Sequence, residues 1–129
     1  LGSLPDFVLP DLSGSFFRSM DMRGLRWVLA IVKDANMDVL RLLESRHARL
    51  MMMNTPLVTV VVEDPVDIKS LCKDSGLRLN ILTDPQRVLA GSIDNCLMII
   101  DKNGTIDSSY NTLDITSLDR LIQRLRYLS

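Results

Sequence analysis

Trp27-Val28-Leu29-Ala30-Ile31-Val32-Lys33-Asp34-Ala35-Asn36-Met37-Asp38 runs from an unbroken apolar stretch straight into a polar segment that starts a helix. Successive apolar, β-favouring residues from Trp27 to Val32 predict a central strand covered on both faces. From Asn36 to about Asn54 the period becomes helical. Val39, Leu40, Leu43 and Leu50 fall on one stripe, with Arg41, Glu44, Ser45, Ala48 and Arg49 around the other side. A strand-to-helix junction gathers unpaired backbone N–H groups and the positive end of a helix dipole, so it is a natural place for chemistry. This junction carries no Cys, Ser or Gly-rich loop.

Downstream, Thr55-Pro56 closes the helix, because the residue before proline avoids the helical region. Leu57 to Val62 predicts a second strand buried on both faces, and strand, helix, strand implies a parallel unit with a right-handed crossover. Asp64-Pro65 signals a helix start, with Asp64 as N-cap, and that helix is expected to end at Gly76. Leu79 to Leu82 predicts a short strand, and Asp84-Pro85 repeats the start signal for a brief helix to about Ala90. Leu97 to Ile100 is a third apolar strand. Asp101 to Gly104 is a hairpin turn from which Thr105 to Tyr110 returns antiparallel. The last helix is expected from Thr116, where Thr116-Ser117-Leu118-Asp119 resembles a capping box; Leu118, Leu121, Ile122 and Leu125 form its apolar face. Upstream, Leu4 to Pro10 is extended, Asp11 to Ser15 turns, and Phe16 to Met20 returns as the second arm of a hairpin.

At 129 residues, with no repeat or linker, residues 4–129 are expected to form a single domain. Leu1-Gly2-Ser3 reads as the remnant of a cleaved expression tag. A net charge of -1 provides no field for capturing nucleic acid or an anionic membrane. No apolar run has the length of a membrane span, so no membrane insertion by this segment is expected. Cys72 and Cys96 stand in neither C-x-x-C nor zinc-knuckle spacing and read as independent buried thiols. His47 reads as a half-buried helix residue. Met51 to Met53 read as filler at the helix end, not as metal ligands. Asp34-x-Asn36-x-Asp38 resembles the start of a calcium loop but has Val39 and Ser45 where glycine and glutamate are required. No cofactor and no metal are expected.

Several local words point to one family. Pro5-Asp6-Phe7, Leu9 to Gly14 and Met22-Arg23-Gly24, followed by Leu82-Thr83-Asp84-Pro85 and Ile99 to Ile106, occur in the order of the alkyl hydroperoxide reductase and thiol-specific antioxidant family. The chain resembles these peroxiredoxin-like redoxins over residues 4–128. The resemblance implies an α/β thioredoxin-like three-layer sandwich, with a mixed sheet of βαβ plus ββα and an N-terminal hairpin. The same family includes envelope thiol-disulfide oxidoreductases, so the resemblance favours a bacterial periplasm or cell envelope, with the cytoplasm left open as the alternative.

The resemblance also implies where chemistry should be. Aligned in register with the strand, the family's C-x-x-C falls at Asn36-Met37-Asp38-Val39, and a peroxidatic Cys would stand near Asn36 or Val39. No thiol is present there. Asp34 and Asp38 could cap the helix start instead, and would raise the pKa of any neighbouring thiol. The family's second landmark, a cis-proline or arginine before the Leu97 strand, corresponds to Asn95 or its neighbour, and neither residue type occurs between Ala90 and Ile100. The resulting expectation is a thioredoxin-like domain without its catalytic cysteine, acting as a binding or structural module of a larger protein. Its partner would be a protein, and a homo-oligomer is the further form of association considered. The alternative is a thiol-disulfide oxidoreductase or antioxidant protein using Cys96, which the resemblance sets beside the junction, as a residual reactive thiol.

Overall fold

A computed structural model of the protein describes residues 2–128. The elements in chain order are β1 (Val8–Pro10), β2 (Phe16–Arg18), a single 3-10 turn (Ser19–Met22), β3 (Trp27–Val32), α1 (Met37–Met52), β4 (Leu57–Val61), α2 (Pro65–Cys72), β5 (Asn80–Thr83), β6 (Cys96–Ile100), β7 (Ile106–Tyr110) and α3 (Ile115–Leu128). β1 and β2 pair antiparallel as a separate hairpin. The other strands form one sheet in the order β5-β4-β3-β6-β7. β3 is parallel to β4 and β4 to β5, whereas β6 is antiparallel to both β3 and β7, so the sheet is mixed.

Every residue of β3, β4 and β6 is buried, which explains their almost wholly apolar sequences, with Thr59 of β4 the polar exception: both faces of the sheet are covered. On one face Val28, Ala30, Val32, Leu97 and Ile99 meet Leu40, Leu43 and Leu50 of α1, Ile68 of α2, and Leu118, Leu121, Ile122 and Leu125 of α3. On the other, Leu29, Ile31, Val58, Val60, Cys96 and Met98 are covered by Leu4, Phe7, Leu9, Phe17, Leu89 and Ala90. These are the three layers. Phe7, Phe17 and Trp27 stack at ring separations of 5.7 to 6.5 Å and fasten the hairpin to the sheet. Ahead of it, Ile106 donates its N–H to Gly2 and Ser3 bridges to Thr105.

Two turns share one construction. In Asp11 to Ser15 the Asp11 carboxylate accepts from the N–H of Ser13 (2.9 Å) and Ser15 (3.0 Å). In Asp101 to Thr105 the Asp101 carboxylate accepts from Asn103 (2.8 Å) and Thr105 (3.0 Å). Each turn places glycine at positive φ, Gly14 at 92° and Gly104 at 82°.

The second hairpin arm stops at Arg18 rather than Met20, because Ser19–Met22 turn as a 3-10 helix, and three further elements differ from the sequence expectation for local reasons. α2 ends at Cys72 rather than Gly76, because Lys73 is extended and Asp74 takes a positive φ. Residues 85–90 form turns rather than a helix. The buried Asp84 carboxylate accepts the N–H groups of Val88 (2.7 Å), Leu89 (2.9 Å) and Ala90 (2.9 Å), and Arg87 at φ 55° leaves the right-handed helical path. α3 starts at Ile115 and is capped by Asp114, whose carboxylate accepts from Ser117 N–H at 2.8 Å, so Thr116 lies inside the helix.

Candidate functional site

β3 and α1 meet at Lys33 to Asn36, and four side chains from three parts of the chain fix the connection. Asn36 is the N-cap of α1: its backbone is extended, and its side-chain oxygen accepts the Val39 N–H at 3.0 Å. Ala35 donates its N–H to the Glu63 carboxylate, which arrives from just beyond β4 because β3 and β4 are parallel and in register. Asn95, just ahead of β6, accepts the Lys33 N–H at 3.0 Å, and Asp94 beside it pairs with the Lys33 ammonium at 3.7 Å. The cap that the sequence left to Asp34 and Asp38 is made by Asn36; Asp34 adopts φ 55° in the turn, and Asp38 lies in the first helical turn.

Asn36, Val39 and Asn95 line one open cleft of about 350 Å³ with Lys33, Asp34 and Asn111. Val39, Leu113 and Asp114 carry it into a neighbouring groove of about 380 Å³, whose wall adds Asp38, Leu42 and Ile115. Met37 and Asp38 occupy the first turn of α1, Asp38 on the groove wall and Met37 packed against the core beneath the helices. The structure thus brings Asn36, Met37, Asp38, Val39 and Asn95 together around one helix N-terminus. Sequence reasoning missed Glu63 and Leu113. The signal for Glu63 was a carboxylate just after the parallel neighbour of β3; for Leu113 it was an apolar residue in the otherwise polar run Asn111 to Asp114.

The two thiols lie elsewhere. Cys96 is 4% exposed and belongs to the apolar cluster under the hairpin, opposite Ile31 and on the other face of the sheet from α1. Its Sγ–H donates to the Leu97 carbonyl at 3.6 Å, and burial pushes its pKa up. Cys72 ends α2 on the helical face, half-buried, and desolvation raises its pKa too. Neither is in a disulfide. A raised pKa leaves less thiolate, the form that attacks disulfides and peroxides. His47 is half-buried on α1, and its buried Nδ1 has no partner among the described residues. No group of His, Cys, Asp and Glu among the described residues could hold a metal ion. No helix among them is long and apolar enough to cross a membrane.

Solved structures share this architecture over nearly their whole lengths. The peroxidoxin BcpB of Mycobacterium tuberculosis superposes with a TM-score of 0.83 at 15% identity, covering 98% of this chain and 96% of that one. The chain has the thioredoxin-like fold. The exposed lipoprotein thioredoxin of Streptococcus pneumoniae aligns at TM-score 0.78 and 20% identity over 95% of this chain and 99% of that one. A secreted disulfide oxidoreductase of Mycobacterium tuberculosis, homologous to DsbE of E. coli, aligns at 0.74 and 18% over 94% and 95%. At such identities the likeness establishes the thioredoxin-like fold and nothing finer. No family model and no curated protein sequence matches the chain.

Proposed function

We propose that this thioredoxin-like chain is a non-catalytic module, used for protein binding or as a structural part of a larger protein, and that the start of α1 is a degenerate active-site position. The observation that carries the proposal is the chemistry of the cap. Asn36 spends its side-chain oxygen on Val39 N–H, one of the donors that would otherwise favour a thiolate at this helix end. Asp34 and Asp38 stand around the same N-terminus, where a carboxylate suits a helix dipole and disfavours a neighbouring thiolate. The burial of Cys96, and its position across the sheet from α1, argue against the alternative of a residual redox thiol.

Titrating the native protein with an aromatic disulfide reagent at neutral pH tests this directly. Cys96 should stay unreacted on the timescale of minutes and react fully once the chain is unfolded. Rapid modification of Cys96 in the folded state would favour an oxidoreductase working through that thiol.

A further inference from the structure

The three helices share a direction. Each follows a strand that points the same way, so α1, α2 and α3 all begin at one end of the sheet and lie on one face. That end carries Asp34, Asp38, Glu63, Asp64, Asp67 and Asp114. Its cations, Lys33 and Arg87, both engage Asp94, at 3.7 and 3.6 Å. The opposite end is predominantly basic, with Arg26, Arg49, Lys73, Lys102 and Arg126 against Asp74 and Asp101, beside the Arg23–Asp6 and Arg124–Asp107 ion pairs. A net charge of -1 therefore hides a strong separation of charge along the molecule. Carboxylates at helix N-termini are ordinary complements of the dipole, but each N-terminus offers only about half a positive charge. Three helices offset about one and a half charges, so the acidic end retains a negative surplus.

The surplus surrounds an apolar opening. Val39, Leu42, Leu113 and Ile115 line the groove between the start of α1 and the start of α3, with Asp38 and Asp114 on its rim and Asp34 in the adjoining cleft. Ile115 is 58% exposed although it begins an amphipathic helix. The neighbouring cation Arg46 is held by Asp119 at 3.6 Å, and Arg120 lies a turn further along α3, acting on Asp114. An apolar floor with a negative rim excludes an acidic or purely polar segment and complements one that combines apolar side chains with positive charge. We infer that the groove binds an extended protein segment carrying aliphatic anchors flanked by lysine or arginine. This rests on the non-catalytic binding reading and names the partner's chemistry.

The test uses fluorescein-labelled eight-residue peptides followed by anisotropy at low salt. A peptide alternating lysine with valine should bind saturably and weaken with added salt; its counterparts with glutamate for lysine, or serine for valine, should bind at least about ten-fold more weakly. Asp34→Asn, Asp38→Asn and Asp114→Asn combined keep an acceptor at each position while removing the charge. They should weaken the lysine–valine peptide about ten-fold. Ile115→Ser, at an exposed position, should weaken it without salt dependence changing. Absence of binding, equal binding of the serine or glutamate peptide, or indifference to both variants would overturn the inference. Insulin-reduction and peroxide assays on the same sample separate the two readings. Turnover would sink the non-catalytic reading whatever the peptides do, and failed binding without turnover would sink only this inference.

Discussion

Replacing Asn36 with alanine removes the acceptor for Val39 N–H and leaves an unpaired donor at the start of α1. The bond is 3.0 Å long and solvent-exposed, so water partly replaces it, and the expected cost is about 1 kcal/mol within the usual range for an N-cap. At ~2.1 cal/mol/K per residue, the unfolding entropy of a chain this size is about 0.27 kcal/mol/K, which converts that cost into a fall in Tm of about 4 °C. Calorimetry or thermal circular dichroism measures it. Asn36→Asp provides the control: it keeps the acceptor and adds a negative charge at the positive end of the helix, so it should hold most of the stability. Asp34 and Asp38 nearby will take back part of that gain by repulsion. An unchanged Tm in Asn36→Ala, or equal losses in both variants, would refute the claim that this position serves as a helix cap.

Acid stability carries a second expectation. The Arg124 guanidinium, bonded to Asp107 through two contacts of 3.0 Å, holds that carboxyl below the ordinary carboxylate range. A lowered folded-state pKa gives stability that is fully present above the unfolded value of about 3.9 and is lost as pH falls through the folded value. Urea midpoints at neutral and acid pH should therefore lie closer together in Asp107→Asn than in the parent, and equal separation would contradict this. Gly104→Ala should lower the urea midpoint by the equivalent of about 1–3 kcal/mol. Its Cβ would stand 2.8 Å from Cζ of Arg23, at a φ of +82° that alanine resists. That guanidinium ties Asn103 (2.6 Å) to Asp6 (3.2 Å), so an unchanged midpoint would contradict both the backbone strain at this φ and a stabilising role for the tie.

The strands were legible wherever burial on both faces left an apolar signature, continuous in β3 and β6 and broken only by Thr59 in β4. The two Asp-Pro words show where legibility stopped. Asp64 caps a helix through Val66 N–H, while Asp84, buried at the end of β5 and tied by its own N–H to Val61, turns both oxygens onto a loop. The sequence words are alike, and only the sheet packed around Asp84 separates them. The family resemblance singles out Asn36 to Val39 and Asn95, with the β3 strand and the start of the next apolar run fixing the alignment, and the structure sets them at the two sides of the β3–α1 connection. Glu63 and the Leu113 wall were missed, since a carboxylate after a strand and one apolar residue in a polar run gain meaning only once the β3–β4 register and the β7–α3 connection bring them to the start of α1.

On the proposed reading the start of α1 stabilises a helix and runs no thiol chemistry. Turnover of the reduced protein with insulin disulfides and with hydrogen peroxide tests it most directly. The expected rates equal those of buffer with reductant alone. Turnover above that level, abolished by Cys96→Ser, would contradict a non-catalytic role.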